Sequence, residues 1–239
     1  MNAVLAIYKK EMKTYFNSPI AFIVIGSFLV ITSWLFFDFG DYPFFAIGVA
    51  DIRGLFDYGS IVLLFIAPAV SMRLIAEEKH HDTLELLVTM PVTDFQIIFG
   101  KYLSTLVVFA LILAGTLVTP FTIGFIGDLD GGIVLSSYIG FFLLGATYLA
   151  MGLATSAFTK NQIIAYIMGL IIISIFFLMN GMVSGSGFMG TLLENLSIRF
   201  HYQNFFRGIV DSRDVLYFLS LITVSLAISA AALSSRKYR

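Results

Sequence analysis

Cysteine is absent from this 239-residue chain. That excludes disulfides, thiolate metal sites and cysteine nucleophiles. Histidine is almost absent: there are three, and His80 and His81 are adjacent in a charged loop rather than spaced along one helix face. No histidine metal cage or zinc-protease pattern is expected from them. Charge is scarce as well, at 12% of residues against roughly 25% in soluble domains. The net charge of −1 gives no basis for nucleic-acid binding. What fills the chain is hydrophobic side chains, 59% of residues, with a mean hydropathy of +0.94. The few charges cluster between long apolar runs, the pattern of a polytopic membrane protein.

Two further absences bear on function. No charged residue falls near the middle of any apolar run, where ion-coupled carriers, pumps and voltage sensors keep their relays. A self-contained secondary carrier or integral membrane enzyme, the alternative function class, therefore lacks its working parts. Gly100-Lys101 superficially resembles a phosphate loop, but Tyr102 stands where Ser or Thr is needed and no glycine lies five residues before Gly100. The chain is expected to be non-catalytic and to bind no cofactor of its own.

The apolar runs give six expected spans: 20–37, 58–72, 95–125, 133–158, 163–183 and 215–233. The first lies in a charge-free run from Thr14 to Phe37, about 36 Å at helical rise. It is longer than a signal-peptide core, and no small-residue cleavage site follows it. Pro68 is expected to kink span two, and Pro120 to bend the outer end of a long span three. Gly145, Gly152, Ala154 and Ser156 put a small-residue stripe on span four, suited to close helix packing. Before the first span, residues 1–17 read as an amphipathic elbow helix. Val4, Leu5, Tyr8, Met12, Tyr15 and Phe16 recur at helical spacing, with Lys9, Lys10 and Lys13 opposite. Residues 184–214 form an extracytoplasmic re-entrant region, with short helices expected around Leu192, Leu193 and Leu196 and around Phe200, Phe205 and Phe206. The whole is one all-α six-span domain, 1–239.

Lysine and arginine counts set the orientation. With the N-terminus inside, ten fall in inner segments and four, Arg53, Arg199, Arg207 and Arg213, in outer ones. Both termini and the stretch Arg73 to Lys101 are thereby placed in the cytosol. That stretch carries its own start and stop signals. Asp82 with Glu85 reads as a capping box, Leu84, Leu87 and Val88 line one face, and Pro91 ends the element. Thr93 with Gln96 forms a second capping box, opening span three.

Glu77-Glu78, Thr83-Leu84-Glu85-Leu86-Leu87, Thr89, Pro91-Val92 and Gly100-Lys101 resemble the cytosolic signature of ABC type-2 exporter permeases. His80-His81-Asp82 departs from the Arg/Lys-x-Gly more usual before the threonine. Lys10-Glu11, Tyr15-Phe16 and Ser18-Pro19 look like the subgroup of nitrous-oxide-reductase maturation and gliding-motility permeases, as does the segment from Asn204 to Phe218. The short length fits the gliding-motility permease of Bacteroidota best. The resemblance implies an inner-membrane permease with a cytosolic coupling-helix loop, 76–94, that docks on separate ABC ATPase subunits holding ATP and Mg. The implied interface comprises Glu77, Glu78, Asp82, Thr83, Leu84, Glu85, Leu86, Leu87, Val88, Met90 and Pro91. In it Leu84, Leu87 and Val88 serve as apolar anchors, and Glu78 and Glu85 as rim charges. The elbow, with Lys9, Lys10, Glu11 and Lys13, would add a second contact near the membrane plane. A second permease copy or a related membrane subunit, and membrane lipids, complete the implied partners.

Overall fold

A computed structural model describes residues 3–38, 44, 50–83, 92–179 and 188–234. Among them the fold is entirely helical. Helix α1 (Ala3–Asn17) leads into α2 (Ile20–Phe37), which is apolar all round and leaves Phe22, Ile23, Val30 and Ile31 exposed, as a lipid-facing helix would. Next come α3 (Arg53–Ser71) and α4 (Arg73–His80), nearly continuous, then α5 (Asp94–Thr116) and its extension α6 (Val118–Ile123). Helix α7 (Gly131–Ser156) is the hub and packs against α3, α4 and α5. It also packs against α8 (Gln162–Leu178), α10 (Ile198–Phe206) and α11 (Ser212–Ser234), while α9 (Phe188–Leu196) precedes α10.

Among the described residues, five units are long and apolar enough to cross a membrane: α2, α3 with α4, α5 with α6, α7 and α11. The fifth expected span is represented by α8, an apolar helix of 17 residues, about 26 Å at helical rise. The remainder of that expected span, from residue 180, lies outside the described residues.

Several boundaries follow from local chemistry. The Thr93–Gln96 capping box forms as its spacing predicts, with the threonine hydroxyl accepting from Gln96 N and the glutamine oxygen accepting from Thr93 N. Asp130 and Asn161 cap α7 and α8 by accepting backbone amides, Gly132 N and Ile133 N for the first and Ile163 N for the second. Helix α3 begins at Arg53 rather than Tyr58, because Asp51 accepts the Arg53 amide at 2.9 Å and starts the helix before the apolar run does. The bend expected at Pro120 falls earlier, at Leu117. The proline ring conflicts with the carbonyl four residues back, at Thr116, so the helix breaks just after that residue.

Span four's small residues are used as expected. A methyl group at Gly145 would lie 2.1 Å from Phe109 on α5, and one at Gly152 would lie 2.0 Å from the Ser71 hydroxyl on α3. Gly140, which the sequence reading passed over, receives Phe205 of α10 in the same way. At the far end of the bundle, Asp214 at the start of α11 accepts from Asn204 Nδ2 at 2.9 Å and lies 2.6 Å from His201 Nδ1. The His201 ring stacks on Tyr217, centroids 4.0 Å apart. Helix α10 is thereby pinned to α11.

Candidate functional site

The lysine-rich end of the bundle gathers α1, α4, α5 and the C-terminus of α7. Three signature fragments distant in sequence meet here. Gly100 lies where α1 crosses α5, and any side chain there would come within 3.1 Å of Ile7 and the Val4 carbonyl. That close approach lets the next residue, Lys101, reach α1. Its ammonium is 1% exposed and lies 2.7 Å from Glu11 Oε1 and 2.9 Å from Glu78 Oε2, the second contact an ion pair without hydrogen-bond alignment. Lys10 closes the cluster by donating to Glu78 Oε1 at 2.8 Å. The Gly-Lys pair that could pass for half a phosphate loop is thus a helix crossing followed by a buried cation.

Helix α1 forms over the expected residues, but the face it buries differs. Ile7, Glu11 and Tyr15 point inward, while Lys9, Lys10 and Lys13 stay exposed. Apolar periodicity placed Val4, Leu5, Tyr8, Met12, Tyr15 and Phe16 on one face, of which only Tyr15 lies on the buried stripe. It was displaced because Glu11 gains the Lys101 ammonium by turning in, a gain that hydrophobicity does not register. Tyr15 extends the contact: its hydroxyl donates to the Val70 carbonyl at 2.9 Å, and the Arg73 guanidinium sits 4.4 Å from its ring centroid.

The break between α3 and α4 falls at Met72, four residues beyond the expected kink at Pro68. Ser156, at the end of α7, causes it. Its hydroxyl accepts from Ile75 N and Ala76 N and donates to the Met72 carbonyl at 2.7 Å. The side chain of one helix thereby sits inside the backbone ladder of another, a recognised origin of kinks. One turn on, Lys79, 2% exposed, donates to the Ala157 carbonyl. A cation at that helix C-terminus meets both an unpaired carbonyl and the negative end of the helix dipole. Thr155 donates to the Ala165 carbonyl at 3.1 Å and ties α8 to the same point.

Of the interface residues expected from sequence, Leu84, Glu85, Leu86, Leu87, Val88, Met90 and Pro91 lie outside the described residues. Asp82 was expected to cap the helix after it. Its φ of 54° instead belongs to the left-handed region that ends helices, which Asp tolerates better than most residues. Its carboxylate is 3.3 Å from Lys160, and Thr83 donates back to the Glu78 carbonyl. Both residues therefore terminate α4. Glu77 is half-buried beside them. Glu78, expected at a partner's rim, has its carboxylate engaged by Lys10 and Lys101. Lys79 and Ser156 were missed as site residues, since nothing in a linear sequence tells a lysine near a membrane surface from one aimed at a carbonyl.

Long apolar helices tied at one end by buried ionic and hydroxyl contacts define a multi-pass helical membrane protein. A family profile described as ABC-2 family transporter protein matches residues 52–231, three-quarters of the chain. The chain belongs to that family. It is a membrane subunit of an ABC transporter, from a family of transport components that are generally non-catalytic, and its kind partners with an ABC ATPase subunit. The match takes in Glu78, Lys101 and Ser156 and begins after Glu11. No curated protein matches the chain.

Proposed function

We propose that this chain is the permease half of an ATP-driven inner-membrane complex, with both termini cytosolic, α8 crossing the membrane as the fifth of six spans, and a coupling helix over 82–90 that docks on a separate ATPase. The observation that carries the proposal is the Lys101 cluster. Glu78 lies just before the loop and Lys101 just after it, and their ion pair fixes the two ends of the loop to each other and to α1. Force applied to the loop passes into spans two and three and the elbow together. Ser156 and Lys79 carry it on into α7. Closure of two ATPase subunits around ATP and Mg would then rock the spans as rigid bodies, in a dimer of this chain or with a related membrane subunit.

Deleting 82–90 tests the docking. The expected result is loss of co-purification with the ATPase subunit while membrane insertion persists. A complex that survives the deletion with unchanged ATPase activity removes the proposal. Within the family we place the chain in the subgroup that holds the gliding-motility and copper-enzyme maturation permeases, on the Lys10-Glu11 and Asn204-to-Phe218 resemblances. Disrupting the gene and scoring surface spreading against nitrous-oxide reduction separates the two.

A further inference from the structure

Three of the four cations counted on the outer side of the chain converge on one cavity, at the end of the bundle away from the Lys101 cluster. The cavity measures about 630 Å³, and Arg53, Arg199 and Arg207 line it together with Asp51 and Asp57. That volume lies within the usual range of small-molecule sites, about 300–1,000 Å³. The lining comes from segments far apart in sequence: Asp51 just before α3 and Arg53 and Asp57 at its start supply one arginine and both aspartates, and α10 with its C-terminal end supplies the other two arginines.

The guanidiniums are only loosely held. Arg53 Nε lies 3.8 Å from Asp51 Oδ1, and Arg199 Nη2 lies 3.8 Å from Asp57 Oδ1. These separations neutralise charge but are too long for hydrogen bonds. Among the described residues none of the three guanidiniums donates a hydrogen bond, although each carries five N–H groups in a fork suited to phosphate. Phe36, Tyr58 and Phe206 supply aromatic wall between the charges, and aromatic faces attract ammonium groups.

We propose that this cavity binds a zwitterionic, phosphate-bearing headgroup, with the phosphate on the arginines and the ammonium against Asp51, Asp57 and the aromatic wall. The charge balance selects that class. Three guanidiniums and two carboxylates would set a simple polyanion against the aspartates and a simple cation against the arginines. A group carrying both signs leaves neither set uncompensated when water is displaced. The site is independent of the ATP-coupling reading, because none of its residues belongs to the lysine-rich end.

The chemistry can come from a membrane lipid or from a soluble headgroup. The full chain, purified in detergent, is offered phosphatidylethanolamine, phosphatidylcholine and phosphatidylglycerol, and bound lipid is counted by native mass spectrometry. The two zwitterionic lipids are expected to be retained about tenfold over phosphatidylglycerol. The paired substitution Arg53→Gln with Arg199→Gln should abolish that preference by losing charge-assisted donors. Arg213→Gln, exposed and outside the lining, should leave it intact. Asp57→Asn should raise phosphatidylglycerol retention toward that of the zwitterions, a change of selectivity that unfolding would not produce. Competition by soluble glycerophosphoethanolamine sustains the proposal with the headgroup alone as ligand. Failure of that competition, with selective lipid retention, sustains it with the lipid as ligand. Equal retention of all three lipids, or a preference unchanged by the paired arginine substitution, overturns it.

Discussion

Ser156 Oγ lies 3.0 Å from the amide nitrogen of Ala76, eighty residues earlier in the chain, at the break between α3 and α4. Ser156→Ala removes the inserted hydroxyl and lets the Ala76 amide return to the Met72 carbonyl. Straightening a kink of about 20° swings the end of an eight-residue helix, about 12 Å long, by about 4 Å. Because the chain has no cysteine, spin labels on His80→Cys and Phe158→Cys report that distance without background. A distribution identical to that of the parent would show that Ser156 does not set the bend.

The Lys101 cluster predicts a marked asymmetry between single and paired substitutions. Lys101→Met leaves the Glu11 carboxylate without its ammonium and Glu78 with Lys10 alone in a largely buried site, a loss of about 3–5 kcal/mol where a buried pair is broken from one side. Adding Glu11→Gln and Glu78→Gln removes the stranded charges and should restore much of the thermal midpoint. Differential scanning fluorimetry in detergent reads both. Additive losses across the series would mean that Lys101, Glu11 and Glu78 are not one network.

The glycines of α7 should rank by the space around them. Gly145→Ala and Gly152→Ala force a methyl group to within about 2 Å of Phe109 and Ser71, and overpacking of this kind costs about 1–3 kcal/mol. Gly26→Ala on α2 meets nothing within 4 Å and should be tolerated. Thermal midpoints of the three variants, measured side by side, check the order.

Alkaline pH should leave the Lys10 contact intact well past neutrality. Burial pulls the Lys10 pKa down, but the hydrogen bond to Glu78 and the charges of Glu78 and Glu11 outweigh it and hold it above the ordinary lysine value of 10.5. A pKa raised on folding stabilises fully below the unfolded value and is lost only as pH climbs through the folded one. The destabilisation caused by Lys10→Met should therefore be equal at pH 7 and pH 9, and shrink only above about 10.5. A penalty that faded between 7 and 9 would contradict the pairing.

His201 predicts a local effect at the opposite end. His201→Phe keeps the ring for stacking on Tyr217 but deprives the buried Asp214 carboxylate of one of its two side-chain partners. Losing such a partner costs about 1–3 kcal/mol. Hydrogen exchange should rise in α10 and at the start of α11 more than at the lysine-rich end. A uniform rise along the whole chain would rule out a local tie.

The sequence by itself determined where the long helices lie and how several begin. Apolar length and capping side chains act within a few residues, so the Thr93–Gln96 box, the two short helices near 188–206 and the small-residue stripe on α7 could all be read in advance. Tertiary structure decided what the charged residues do. Glu11 turns inward because a lysine ninety residues away waits there. Glu78 pairs within the chain, and the break between α3 and α4 falls where Ser156 arrives rather than where Pro68 stands. Each of these depends on a partner brought close only by folding, and local periodicity carries no term for that partner. The sequence marked out the long apolar helices, and only their packing showed how one end of the bundle is tied together.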